Sequence, residues 1–513
     1  MTNCWGVHAQ HSKLSRMTAT TDSTKPDMST TAGKIADLRN RLAEARAPMG
    51  DDSIRARHDA GKLTARDRVE ALLDEGSFVE IDALARHRST AFGADKSRPL
   101  TDGVVSGHGT VDGRPVCVFS QDSTIFDGQL GETHGEKILK VMQLAVKSGT
   151  PLVGIYDGTG ARLKEGMAAL EYFSRIIAMQ SQTSGVVPQI ALVAGPVSGP
   201  TAHNVALADV VVEVAEAGTI SLSPGDAASS LSDATTGTSH IQAQDERAAI
   251  ELVAEVLSYL PSNNRALPIR EDEDDRRPAG GTADLNTLIP DRAAQPYSMA
   301  TVVENIVDEG SFLALQNQFA PHMVTGFARI EGRSVGIVAN QPDQGAGAID
   351  VDAAEKAARF IRLCDAFNVP LVTFVDSAGF TPDTEGVGLV RKTAKLFAAV
   401  AEASVGKIAV VTRKAYGSAY LAMGAKRLGT DLVFAWPTAE IAVAELEDLV
   451  AATGKDEAKI AEALINPYAA AERGLVDAVI APADTRKQIA DGLLLLERKA
   501  EDGYPRKYSN IPF

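Results

Sequence analysis

Two glycine-containing turns carry most of the chemistry open to this chain. The first, Asp157-Gly158-Thr159-Gly160-Ala161-Arg162, follows the apolar run PLVGIY, and the second, Tyr416-Gly417-Ser418-Ala419-Tyr420, follows KIAVVTRKA. Small residues let the main chain approach a ligand closely, and Gly160 tolerates a positive φ. N–H groups at the opening of a helix point at developing negative charge. Each turn also has a plain structural reading, a tight connection between strand and helix. Repetition favours the ligand-binding reading. TPLVGIYDGTGARL returns as VPLVTFVDSAGFTP, and GVVPQIALVAGPVSGPTAHNVALAD returns as SVGKIAVVTRKAYGSAYLAMGAKRLGTD. Asp157 pairs with Asp376 and Gly199 with Gly417, at separations that agree to within one residue. Two copies imply two oxyanion-binding pockets.

No constellation of side chains competes with these turns. Of nine histidines, only His134 sits in a glycine-flanked stretch, GETHGEKI, which reads as a helix cap or packing position. The acidic residues spread over helix surfaces without forming an acid/base pair. Neither a P-loop nor a dinucleotide fingerprint is present. A reaction that needs oxyanion stabilisation and little side-chain chemistry fits, and enolate formation at a thioester is one such reaction.

The elements that must position the turns are legible from periodicity. Ala32 to Ala47 has helical spacing of apolar residues, and LTARDRVEALLDEGSF reads as a helix turning at Gly76. GVVSGHGTVDGRPVCVFSQD splits into two strands at Asp112-Gly113, a hairpin signal. Gly135 to Lys147 is a helix with an apolar face of Ile138, Val141, Met142 and Ala145, and it leads into the strand PLVGIYD. The polar, Pro- and Gly-rich stretch from Pro261 to Arg292 marks a boundary. Beyond it TVVENIVDEGSF, HMVTGFARIEGRSVGIVANQ and AAEKAARFIRLCDAF echo the first half. Alternating strands and helices imply an α/β fold in each half. The expected organisation is a disordered tail over residues 1–30, an N-terminal domain over 31–270, a linker over 271–292 and a C-terminal domain over 293–513.

Bulk properties set outer limits. A length of 513 residues suits two large domains, and 44% hydrophobic with 23% charged residues is a globular composition. The net charge of −16 argues against a nucleic-acid surface and an anionic membrane partner. Cys4, Cys117 and Cys364 are scattered and read as reduced thiols of a cytoplasmic protein. No apolar run approaches the roughly 20 residues of a membrane span. The Ser/Thr-rich start lacks the apolar core of a secretory signal. It reads as a tail or as the product of a start codon placed upstream of Met17 or Met28.

From about Thr31 to Phe513 the chain resembles the carboxyltransferase (beta) subunits of biotin-dependent acyl-CoA carboxylases, of the propionyl-CoA carboxylase type. FSQD, LGETHGEKI, NQP, AAEKAARFIRLCDAF, RKAYG, AWPTAEIAV, NPYAAAERGLVDAVI and the terminal NIPF follow one another in the family's order. The resemblance implies two tandem crotonase-like (ClpP/crotonase) domains from an internal duplication. It also implies a hexamer, homomeric or mixed with beta-subunit paralogues, whose active sites lie at dimer interfaces. The substrate would be an acyl-CoA. No cofactor would be bound directly, because carboxybiotin arrives on a separate biotin carboxylase/biotin carrier alpha subunit. One hole would hold the thioester enolate and the other the biotin ureido oxygen. By family matching, Thr159 and Gly160 form the N-terminal hole, and Ser418 and Ala419 the C-terminal one. Ala161, Arg162, Gly199, Gly417, Tyr420 and Leu421 would contact substrate, with Leu421 at a position resembling an acyl-length selector.

The departures from the family cluster at these positions. Gly158-Thr159-Gly160-Ala161-Arg162 replaces Ser-Gly-Gly-Ala-Arg, and Gly417-Ser418-Ala419-Tyr420 replaces Gly-Gly-Ala-Tyr. Gly199-Pro200-Thr201 replaces Gly-Gly-Ala, so Pro200 removes an N–H. SPGDAASSLSDATTGTSH is shorter than the family's insert, and the acidic AELEDLV replaces a glycine-rich stretch after Val443. Two readings follow: a working carboxyltransferase with an unusual acyl-CoA, and a catalytically weak or inactive structural paralogue in a mixed hexamer with an active beta subunit. A single-domain hydratase is disfavoured by the duplication. A decarboxylase that hands carboxyl groups to biotin shares the same motifs.

Overall fold

A computed structural model describes residues 25–223, 233–272, 278–280, 284–292, 295–381, 388–499, 501, 505 and 510. Residues 1–24 of the expected tail, half of the SPGDAASSLSDATTGTSH segment, parts of the expected linker and the end of NIPF lie outside the described residues.

Two sheets of one design organise the chain. The first half contains β1 (Val79–Glu80), β2 (Val104–Val111), β3 (Arg114–Gln121), β4 (Leu152–Tyr156), β5 (Gln189–Val193), β6 (Pro196–Ser198), β7 (Val210–Val214), β8 (Thr219–Ser221) and β9 (Ile241–Ala243). Seven of these form one sheet in the order β1-β2-β3-β4-β5-β7-β9, while β6 and β8 pair with each other. The second half contains β10 (Leu313–Leu315), β11 (Met323–Ile330), β12 (Arg333–Asn340), β13 (Leu371–Ser377), β14 (Lys407–Tyr416), β15 (Leu432–Ala435), β16 (Glu440–Ala442) and β17 (Ala478–Val479). They run β10-β11-β12-β13-β14-β15-β17, with β16 beside the end of β14. In both sheets an antiparallel hairpin leads into a parallel series. The fold is α/β with mixed sheets.

The hairpin expected at Asp112-Gly113 joins β2 and β3, with φ of 48° and 74° at its two turn residues. Positive φ at both centres gives a turn whose twist matches that of the strands. The helix Glu132–Ser148 buries Ile138, Val141, Met142 and Ala145, the face expected of it. The helix Val351–Ala366 takes the same place in the second half. Each carries a buried lysine whose ammonium is held by main-chain carbonyls. Lys137 Nζ donates to Thr101 O and Val104 O, and Lys356 Nζ to Gln316 O and Phe319 O. Burial lowers these two lysines to about 8 and about 7. The helix Ala65–Leu72 is closed by a Thr64/Asp67 capping box. The helix Thr31–Arg46 leaves Ile35, Leu38 and Leu42 half exposed.

The largest core cluster draws on both halves: Val69, Val153 and Val210 on one side, Phe327, Phe360 and Leu396 on the other. Tyr259 donates its hydroxyl to Ser311 O at 2.5 Å and stacks on Phe327. These contacts join the two sheets into one packed body.

Candidate functional site

The first turn begins where β4 ends and is fixed by a buried carboxylate. Asp157 Oδ2 accepts from Arg68 Nη1 (2.9 Å), Ser123 Oγ (3.0 Å) and Arg57 Nη2 (3.1 Å), while Asp157 N–H donates to Gln121 Oε1 (3.1 Å). Arg68 also binds Glu246 at 2.6 Å. Leu130 N–H then donates to Gly160 O, and Arg162 N–H to Leu130 O, both at 2.9 Å. Ala161 lies between these two bonds, so its own N–H faces away from Leu130, and no described residue accepts from it. Ala161 is partly exposed. Gly160 has φ 84°, and a Cβ there would stand 3.3 Å from Ser198 O. Glycine is therefore required on two counts, conformation and space.

The second turn of the same half follows β6. Gly199, at φ 62°, donates its N–H to Ser221 O (3.0 Å) and precedes the helix Pro200–Ala206. Pro200, at the first helical position, has no N–H to offer.

The C-terminal half repeats this geometry. Asp376 Oδ2 accepts from Arg413 Nε (2.9 Å), Oδ1 from Lys414 N–H (3.2 Å), and Asp376 N–H donates to Asn340 Oδ1 (3.3 Å). Burial raises the Asp376 carboxyl, against the pull of Arg413. Ile349 N–H donates to Gly379 O (2.9 Å) and Thr381 N–H to Ile349 O (3.0 Å), which leaves the Phe380 amide facing outward as Ala161 does. Ser377 pairs with Ala415, bringing this turn beside Gly417. Gly417 has φ 50° and opens the helix Gly417–Ala422. The first N–H groups of a helix have no intrahelical acceptor, and no described residue accepts from Ser418 or Ala419. Ser418 is exposed and Ala419 buried. Tyr416 caps the turn by donating its hydroxyl to Glu440. Leu421 is 47% and Val443 80% exposed, forming an apolar rim. Tyr420 is buried, which pushes its hydroxyl up to about 12.

The expected site residues take different places. Thr159, expected in the N-terminal hole, donates its N–H to Asp127 O at 3.3 Å, because the chain must close back on the Phe126–Gly128 turn. Arg162, expected at substrate, is buried and engaged by Asp102 Oδ1 (2.9 Å) and Glu165 Oε1 (2.7 Å), with Phe126 under its guanidinium. Gly199 keeps its turn conformation, but its amide is taken. Phe380 was not singled out from the sequence. The repeat contains its signal, since GFTP aligned on GARL sets Phe380 opposite Ala161. His134 is a packing residue, as expected: its N–H donates to Asp102 Oδ2 (3.0 Å), and burial holds it neutral down to about 3. Among the described residues no His/Cys/Asp/Glu group could hold a metal, and no helix is long and apolar enough to cross a membrane.

What these turns offer is main-chain N–H groups with no described acceptor, which suits an oxyanion. A family model for the carboxyl transferase domain matches residues 56–511. The chain belongs to the carboxyl transferase domain family. Within it, the chain is 48% identical to the propionyl-CoA carboxylase beta chain of Saccharopolyspora erythraea, over 95% of this chain and 97% of that one. It is 46% identical to the biotin-dependent acetyl-/propionyl-coenzyme A carboxylase beta5 subunit of Mycobacterium tuberculosis, over 95% and 96%. A solved structure of transcarboxylase 12S, described as a hexamer assembly with methylmalonyl-coenzyme A and methylmalonic acid bound, superposes with a TM-score of 0.90 at 37% identity. It covers 94% of this chain and 99% of its own.

Proposed function

We propose that this chain is the carboxyltransferase (beta) subunit of an acyl-CoA carboxylase, moving a carboxyl group from carboxybiotin to the α-carbon of an acyl-CoA. The observation that carries this is the outward-facing amides of Ala161 and Phe380, each on a turn braced by a buried carboxylate, joined in the C-terminal half by Ser418 and Ala419. When carboxybiotin is brought in by the alpha subunit, it supplies the carboxyl group and, on its release, a urea nitrogen that takes the α-proton. Ala161 N–H and Ser418 N–H donate to the two oxygens that gain negative charge. The Asp157 and Asp376 networks hold those donors in place beforehand, so little reorganisation accompanies reaction. Leu421 and Val443 exclude water beside the second turn and set the length of acyl chain admitted. The apolar rim favours a longer chain.

The wider arrangement belongs to the same proposal. Residues 31–270 and 293–513 form two crotonase-like domains of one duplication, joined through 271–292, and they assemble as a hexamer with sites completed across subunits. The matching strand orders and the paired networks at Asp157 and Asp376 support this. A second reading, a structural paralogue within a mixed hexamer, draws support from Pro200 and from the engaged Gly199 amide, which thin out the N-terminal pocket. Turnover decides between them. The purified chain is mixed with carboxylated biotin carrier and a panel of acyl-CoAs, alone and with an active beta paralogue. Turnover alone is expected. Silence alone, with turnover only in the mixture, would establish the paralogue reading.

A further inference from the structure

The two halves differ at one donor. Ser418 stands one residue after Gly417, and its counterpart, one residue after Gly199, is Pro200. The C-terminal pocket therefore has an outward amide from Phe380 and a helix-opening amide from Ser418. The N-terminal pocket has Ala161 and, where the second amide would be, an imino nitrogen without hydrogen. An oxyanion held by one donor is poorly stabilised, because each donor contributes about 10²–10³ in rate.

The hydroxyls around this gap are out of the ordinary. Ser198 is only 3% exposed and its Oγ makes no hydrogen bond with any described residue. A buried hydroxyl without a partner is costly and calls for an explanation such as an absent ligand. Ser198 Oγ stands 3.8 Å from the Cβ position of Gly160, the residue that precedes Ala161. It immediately precedes Gly199 and Pro200, both partly exposed. Thr201 Oγ1 is also buried and without a partner, but it lies on the helix beyond the proline.

We infer that the Ser198 hydroxyl takes the place of the main-chain donor lost at Pro200 and is the second oxyanion donor of the N-terminal pocket. The inference rests on the carboxyltransferase reading given above. It makes Ser198 a catalytic residue of this chain, and it makes the serine and the proline interdependent. With a main-chain N–H restored at position 200, the hydroxyl becomes dispensable.

The test is a cycle of variants in the full chain, assayed with carboxylated biotin carrier and propionyl-CoA: Ser198→Ala, Pro200→Gly, the two together, and Thr201→Val. Ser198→Ala is expected to lower kcat by about 10²-fold with KM changed less than about threefold. Pro200→Gly is expected to keep wild-type turnover or better, and the double variant to recover at least tenfold over Ser198→Ala. A packing role for the serine does not produce that recovery. Ser198→Ala turnover within about threefold of wild type would overturn the inference and leave the carboxyltransferase reading standing. So would a tenfold or larger loss confined to Thr201→Val, or a double variant no better than Ser198→Ala. A wild-type chain without turnover in any mixture would overturn both.

Discussion

Replacing Ser418 by proline transplants the natural difference at Pro200 into the other half. The substitution deletes one N–H and little else. Ser418 lies in the first turn of its helix, where the N–H has no intrahelical acceptor and proline's fixed φ suits the backbone. Gly199, at φ 62°, already precedes a proline, and Gly417 has a similar φ of 50°. Ser418 is exposed, so no packing is lost. Stability is therefore expected to change by less than about 1 kcal/mol. Removal of one preorganised donor costs about 2.7–4 kcal/mol of transition-state stabilisation, a loss of about 10²–10³ in kcat. Ser418→Ala keeps the N–H and serves as the control, with turnover within about threefold of wild type. The assay is initial-rate carboxylation of propionyl-CoA by the chain with its carboxylated carrier, alongside a thermal melt. Equal turnover by the proline and alanine variants, with unchanged melting, would refute the assignment of this amide.

Three further outcomes follow from the same contacts. His134 and His240 are buried and held neutral down to about 3, while the unfolded chain protonates them near 6.5. His240 Nδ1 accepts from Val211 N–H at 2.7 Å, which a protonated ring nitrogen could not do. The unfolded state thus binds more protons between about pH 6.5 and 3, and stability falls with pH through that window by up to about 2 kcal/mol per histidine at pH 5. Urea midpoints measured from pH 7.5 to pH 5 should decline, and His240→Gln should flatten the decline. Arg68→Met leaves Asp157 and Glu246 facing each other without their shared cation, a loss of about 3–5 kcal/mol. The chain should unfold at markedly lower urea. Leu421→Ala should shift kcat/KM toward longer acyl-CoAs by about tenfold relative to propionyl-CoA, and an unchanged ratio would remove Leu421 from the acyl path.

The repeat made much of the architecture legible. Apolar runs such as PLVGIY and IAVVT, rich in β-branched residues, read as buried strands, and Asp112-Gly113 reads as a tight hairpin turn. The second half could be read off the first. Composition also put the tight turns at Gly160 and Gly417, because positive φ and close approach select for glycine. What composition does not encode is which amide in a turn is already used. Thr159 and Ala161 are only two residues apart, yet one donates to Asp127 and the other faces outward. That depends on the register with Leu130, a partner some thirty residues away. The partners of Arg162 are hidden from the sequence for a similar reason. A lone arginine after a glycine turn suggests a ligand, but Asp102 and Glu165 enclose it. Ser198 attracted no notice, because only burial without a partner sets it apart from an ordinary serine.

The most direct test of the account is a structure of the chain in its oligomer, with an acyl-CoA and biotin bound. The account predicts the thioester oxygen or the ureido oxygen about 3 Å from Ala161 N in one half, and the other oxygen as close to Ser418 N in the other half. Oxygens held only by side chains, or lying beyond about 4 Å from both nitrogens, would contradict it.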